Sequence, residues 1–170
     1  MRPILVIVNG PPGIGKTSVA KALFERLEHC AWLDGDDVWR IRPFEVSART
    51  RAVVEANISH VLSGYLGARY PYVILSWVLH GQSVLERILG AIDGTEFDLR
   101  VFTLTSSEDV LLDSQPRDAS RETPADLSLL RLPQVMQLAT YQIETSQRRV
   151  SGIADEILSA LSSPPEDVQD

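Results

Sequence analysis

The sequence predicts an α/β protein of three layers, with a parallel sheet lying between two sets of helices. Three observations predict it. Short aliphatic and β-branched runs alternate with longer amphipathic segments along the chain. The first of these runs, Ile4-Leu5-Val6-Ile7-Val8, is apolar at every position, as a strand covered on both faces must be. A glycine- and proline-rich turn then joins it directly to an amphipathic segment, the layout of a right-handed crossover. The 170 residues suit one domain, expected over residues 1–162, with a loose tail over 163–170 that contains Pro164-Pro165.

Each element follows in order. After the first strand, Val19, Leu23 and Leu27 recur at four-residue spacing and predict a helix over residues 15–28. Ala31-Trp32-Leu33 is a short second strand that runs into Asp34-Gly35-Asp36-Asp37. A helix over residues 47–66 carries the stripe Val54, Ile58, Val61, Tyr65. The apolar run over residues 72–79 is the third strand. Ser83 and Glu86 have capping-box spacing and predict a short helix up to Ile92. Residues 99–104 form a fourth strand, and Thr105 with Glu108 repeats the capping spacing ahead of a helix through Leu112. Residues 113–126 are polar and lack apolar periodicity. Residues 127–141 are helical in pattern but broken at Pro133, Gln142 to Thr145 form a short fifth strand, and Ile153, Ile157 and Leu161 mark a last helix.

Composition narrows the function classes. With 16 Lys+Arg against 23 Asp+Glu the chain carries a formal charge of −7, and 44% of its residues are apolar. That is a globular composition, and the acidic balance argues against nucleic acid as a partner, because phosphate backbones need a positive field. No apolar run approaches the roughly 20 residues of a membrane helix, and the first strand is too short for a signal peptide core. No membrane partner is therefore expected. Cys30 is the only cysteine, so no internal disulfide can form, and a cytoplasmic location is expected. His29 and His60 make no ligand pattern with Cys30, which leaves zinc without a site.

The chemistry is concentrated between the first strand and the first helix. Gly10-Pro11-Pro12-Gly13-Ile14-Gly15-Lys16-Thr17 is a complete G-x-x-x-x-G-K-[ST] pattern, followed by Ser18. Glycines let the chain wrap with its N–H groups turned inward, and the helix start adds partial positive charge at the same spot. Lys16 can reach the terminal phosphates, and the Thr17 hydroxyl can join a Mg²⁺ shell. Lys16 is one of only two lysines in the chain, the other being Lys21. The position between a buried strand and an amphipathic helix is the one this mechanism requires, so a nucleoside triphosphate site is expected. In an open parallel sheet ligands bind outside the carboxyl ends of the strands, so Asp34 and Asp36 should face the same crevice as the phosphate loop. The same residues also suit a turn or a helix cap.

The loop and the aspartate pair in Leu33-Asp34-Gly35-Asp36-Asp37 together resemble those of the small P-loop kinases. That group includes shikimate, gluconate and adenylylsulfate kinases, chloramphenicol phosphotransferase and tunicamycin-resistance-like proteins. The resemblance spans the chain in order of elements, although only these two motifs are specific. It implies a P-loop NTPase fold with a five-stranded parallel sheet ordered 2-3-1-4-5 and a lid over residues 113–126. It implies ATP and Mg²⁺ as cofactors and γ-phosphoryl transfer to the hydroxyl of a small molecule. By position, Asp34 would hold Mg²⁺ through water together with Thr17. Asp36 would accept the proton of the acceptor hydroxyl or orient it, and Arg117 and Arg121 would cover the transferred group. Residues 142–146 would lie near the nucleotide base.

The residues leave other possibilities open. Asp37, Arg40, Trp77 and His80 are candidates for the acceptor side. Arg40 and Arg42 could clamp an anion or pair with Asp37 or Glu45, and Trp77 could stack on a ligand or be buried. Arg40, Arg42 and Arg49 keep a nucleoside monophosphate acceptor open. The third strand ends without an acid, and Leu111-Leu112-Asp113 lacks an arginine common in such kinases, which keeps a non-catalytic nucleotide-binding protein open as well. Oligomeric state carries no sequence signal.

Overall fold

Ile4–Asn9 (β1) lies at the centre of the sheet, as its unbroken apolar run requires. Leu5, Val6, Ile7 and Val8 are all fully buried. β1 pairs in parallel with Tyr72–Ser76 (β3) on one side and Asp98–Thr105 (β4) on the other. Cys30–Asp34 (β2) lies outside β3, and Tyr141–Glu144 (β5) outside β4, so the order is 2-3-1-4-5 with every pair parallel. This is the three-layer α/β architecture expected from the sequence, with the strand order that the resemblance to the small P-loop kinases implies. The computed structural model describes residues 2–106 and 140–163. Thr105, expected to cap a helix, is instead the last residue of β4, and Tyr141, expected to end the segment broken at Pro133, begins β5. The rest of the helix expected through Leu112, the lid with Arg117 and Arg121, the remainder of the segment broken at Pro133 and residues 164–170 lie outside the described residues.

Alternation along β1 divides the core. Leu5 and Ile7 join Leu33, Val73 and Leu75 on one face. There they pack on Ala48–Gly67 (α2) and Gln82–Gly90 (α3) through Val54, Ile58, Leu62, Leu85 and Ile88. Val6 and Val8 join Ile74, Phe102 and Leu104 on the other face, against Lys16–Phe24 (α1) and Val150–Ser162 (α4). Each fully buried aliphatic side chain contributes roughly 1.5–3 kcal/mol of apolar transfer. Glu55 on α2 accepts two hydrogen bonds from the Arg87 guanidinium on α3, at 2.7 and 3.0 Å, and fastens the two helices of the first face. No described helix is long and apolar enough to cross a membrane.

Element ends differ from the sequence expectation in three places. α1 stops at Phe24 rather than near residue 28; Leu27 still packs on the core, held by its N–H to the Leu23 carbonyl at 2.9 Å. β3 stops at Ser76 rather than residue 79. The Trp77 N–H still reaches the Val8 carbonyl at 3.3 Å, but the Leu79 N–H is taken by the Asn9 side chain at 2.8 Å, which turns the chain out of the ladder. α3 begins after Gly81, in an extended positive-φ conformation (φ 124°) with no side-chain cap, so Ser83 is inside the first turn and caps nothing. The capping box is instead at α2, where the Ser47 and Thr50 side chains and backbones exchange hydrogen bonds.

Asn9 ties three strand ends together. Its Oδ1 accepts from the Leu79 N–H, and its Nδ2 donates to Thr103 Oγ1 at 3.3 Å, which also accepts from Thr140 Oγ1 at 2.7 Å. Asn9 and Leu79 are fully buried, so Asn9→Ala orphans a backbone donor that water cannot reach. We expect this substitution to cost about 1–3 kcal/mol, seen as a lowered urea midpoint with an unchanged slope.

Candidate active site

The phosphate loop takes its shape from three glycines. Gly10, Gly13 and Gly15 have φ of 149°, 81° and 97°. A Cβ on Gly10 would stand 2.9 Å from both Ile14 Cγ2 and the Leu104 carbonyl oxygen, so the start of the loop admits only glycine. Gly15 is the N-cap of α1 and, lacking a side chain, leaves the first N–H groups of the helix uncapped; no acidic residue stands in the first turn. An open helix start with free donors is suited to an anion. Pro11 is buried and Pro12 and Ile14 are half-buried, with the Ile14 N–H closing on the Pro11 carbonyl at 3.4 Å. Ser18 lies exposed in the first turn.

Lys16 folds back under this loop, its ammonium donating to the Pro11 carbonyl at 2.9 Å. Burial there pushes its pKa down to about 8, against the opposing pull of the Asp36 and then the Asp34 carboxylate. Both aspartates thus act electrostatically on the lysine of the loop, as expected if loop and acids share one crevice.

Asp34 is a hub. Its Oδ2 accepts from Thr17 Oγ1 at 2.7 Å and from Ser76 Oγ at 3.0 Å, and its Oδ1 accepts from the Asp36 N–H at 3.1 Å. The last of these makes Asp34 the cap of a 3-10 turn over Gly35–Val38. The turn reading and the cation-side reading of these acids are therefore compatible: one oxygen shapes the turn while the other faces Thr17. Asp36 and Asp37 leave the turn exposed. Among the described residues no group of three or more His, Cys, Asp or Glu side chains forms a metal cage. A hydroxyl and a carboxylate beside a phosphate cradle nevertheless fit Mg²⁺, which takes hard oxygen ligands and draws the remainder from phosphate and water.

The candidates for the acceptor side separate. Arg40 donates to Asp37 at 2.6 Å and both are exposed, so the two are engaged with each other. Trp77 is only 5% exposed and packs against the turn: a Cβ on Gly35 would meet its Cγ and Cδ1 at 2.4 Å. It is thus a buried support for the Asp36 turn, not an open stacking platform. Trp39 packs beside it at 6.2 Å between ring centroids, and the more exposed Phe44 lies 5.8 Å beyond Trp39. His80 is half-buried just before α3. Gly35→Ala should overpack this contact and cost about 1–3 kcal/mol, with a change in tryptophan emission. Across the sheet, Thr145 is bound to the Thr105 carbonyl through both its N–H (2.8 Å) and its hydroxyl (2.9 Å). Glu144 is held below the ordinary carboxylate range by the Ser146 hydroxyl and backbone N–H.

Sequence reading missed Gly35, Asn9 and Ser76. The last two are polar residues that end buried strands, a signal visible in the sequence but silent on what each one meets.

Fold and site together define a P-loop protein built on the architecture of the small kinases. The chain belongs to the AAA domain family, whose sequence profile matches residues 5–141. Among solved structures it is similar to the tunicamycin resistance protein of Deinococcus radiodurans, at 19% identity and a TM-score of 0.73, over 97% of this chain and 100% of that one. It is similar as well to a gluconokinase of Sinorhizobium meliloti 1021, at 21% identity and a TM-score of 0.70, over 95% and 94% of the two chains. A third is the APS kinase CysC of Mycobacterium tuberculosis in complex with AMPPNP and APS, at 19% identity and a TM-score of 0.63, over 95% and 99%. No curated protein matches the sequence.

Proposed function

We propose that this protein is an ATP- and Mg²⁺-dependent phosphotransferase that moves the γ-phosphoryl group to a hydroxyl of a small molecule. The observation that carries the reading is the meeting of Lys16, Thr17 and Asp34 at the mouth of an uncapped helix, with Asp36 presented on the turn that Asp34 caps. Phosphoryl transfer asks chiefly for positioning and charge neutralisation, and these residues supply both. Loop N–H groups and the start of α1 would hold the phosphate oxygens. Lys16 would exchange the Pro11 carbonyl for the β- and γ-phosphates. Thr17 and, through water, Asp34 would hold Mg²⁺, which when bound offsets charge on the triphosphate. Asp36 would orient the acceptor hydroxyl and take its proton. Similarity to a gluconokinase and to an APS kinase with AMPPNP bound supports both the nucleotide and the small acceptor.

The pair of Arg40 with Asp37 is exposed and therefore weak, so Arg40, like Arg42 and Arg49, stays available to an anionic acceptor such as a nucleoside monophosphate. The test is direct. Purified protein with Mg·ATP is offered a panel of polyols, sugar acids, hydroxylated antibiotics and nucleotides. ADP release should depend on one class of acceptor, with the new phosphomonoester visible by phosphorus NMR. If no member raises ADP release above the acceptor-free rate, the reading fails.

A further inference from the structure

β3 ends in Ser76 rather than in an acid, and that serine faces the Asp34 carboxylate on the neighbouring strand. We propose that Ser76, itself oriented by Trp32, is a positioning residue that acts through Asp34 to aim the Thr17 hydroxyl oxygen at a divalent cation. The inference deepens the phosphotransferase reading and rests on it for the identity of the cation.

Proton directions along this chain follow from the groups themselves. An indole N–H can only donate, so in the 3.0 Å contact between Trp32 Nε1 and Ser76 Oγ the serine oxygen accepts. Its one proton is then left for Asp34 Oδ2 at 3.0 Å, since an ionised carboxylate only accepts. Thr17 Oγ1 meets the same oxygen at 2.7 Å and must also donate. The result is a one-way series: Trp32 to Ser76, Ser76 to Asp34, and Thr17 to Asp34 from the other side. A hydroxyl whose proton is committed to a carboxylate turns its lone pairs elsewhere, which a hard cation requires.

Strand register builds this arrangement. Asp34 is paired with Ser76, and Trp32 with Ile74 two residues before it, so Trp32, Asp34 and Ser76 share one face of the sheet. It is the face that carries α1, and with it Thr17, because Ile74 and Trp32 pack with the α1 side of the core. Ser76 is 1% exposed, so water cannot take over its hydrogen bonds. Asp34 Oδ1 is held by the Asp36 N–H, so the Oδ2 contacts set the remaining tilt of the carboxylate.

Calorimetry of AMPPNP binding in Mg²⁺ and in EDTA tests the role. Loss of a group that orients a ligand typically costs 10- to 100-fold in metal affinity. Ser76→Ala should therefore lose about tenfold of the gain in affinity that Mg²⁺ confers, while binding in EDTA stays within about twofold. Ser76→Thr should restore the gain, and Trp32→Phe should lose a smaller part of it. A Mg²⁺ gain unchanged in Ser76→Ala, or equal losses with and without Mg²⁺, overturns the proposal. The linkage is also readable without any ligand. Asp34→Asn should shift the Trp32 indole N–H resonance, and the shift should vanish when Ser76→Ala is added. A shift that persists in the double variant overturns it as well. Absence of AMPPNP binding in the wild-type protein would instead sink the phosphotransferase reading and leave the resonance test standing.

Discussion

Lys16→Ala is expected to lower turnover by about 10²- to 10³-fold, the loss typical of removing one preorganised charge-stabilising donor. The change removes the ammonium's hydrogen bond to the Pro11 carbonyl, but the loop should survive, because three positive-φ glycines and the Ile14-to-Pro11 hydrogen bond still shape it. Circular dichroism and the urea midpoint should therefore stay near wild type while acceptor-dependent ADP release collapses. A loss of activity matched by loss of fold would assign Lys16 a structural role. The lysine also sets a pH dependence. In the free protein its pKa is lowered to about 8 by burial. Phosphate placed beside it favours the charged form and raises that value. Above pH 8, binding must then take up a proton, so triphosphate affinity should fall with rising pH, by up to tenfold per unit. Calorimetry in two buffers of different ionisation heat should show proton uptake near pH 8.5, absent in Lys16→Ala. Stability has the opposite slope. Between pH 8 and 10.5 the unfolded lysine binds more protons than the folded one, so this residue makes the free protein more stable as pH rises through that window.

Asp36→Asn should reduce turnover by about 10²- to 10⁴-fold, the range for loss of a general base, and leave AMPPNP affinity within about threefold. The turn itself is insulated from this substitution, because Asp36 contributes its backbone N–H, not its carboxylate, to the cap on Asp34. Steady-state kinetics beside calorimetry decide the matter: equal losses in turnover and nucleotide affinity would remove Asp36 from the acceptor side. A second signature accompanies the first. The Asp36 carboxylate pulls the Lys16 pKa upward, so in Asp36→Asn the pH at which nucleotide affinity begins to fall should move below 8.

Much of this site was readable in the sequence because it is local. The phosphate loop occupies eight consecutive residues, and the strand before it and the helix after it declare themselves by composition and period. Asp34 and Asp36 were identifiable because a strand that ends in carboxylates must present them at the same edge as a loop that ends another parallel strand. The second role of Asp34, capping the 3-10 turn, is equally local. Trp77 shows where such reading stops. Nothing in its own segment distinguishes a ring open to a ligand from one pressed against Gly35, 42 residues away in the chain. The extent of β3 was misjudged for a similar reason, since Asn9 withdraws the Leu79 N–H from the ladder across a separation of 70 residues.

The sequence by itself determined the α/β class, the phosphate cradle and the chemical types gathered around it. Backbone conformation and apolar period are properties of neighbouring residues, and they are written in order along the chain. Only the tertiary structure decided which side chains complete the site: Ser76 opposite Asp34, Trp32 behind Ser76, Arg40 turned to Asp37 and Trp77 sealed beneath the turn. The contacts among Trp32, Asp34 and Ser76 depend on the register of two parallel strands, and a slip of one residue between them would turn Ser76 away from the Asp34 carboxylate.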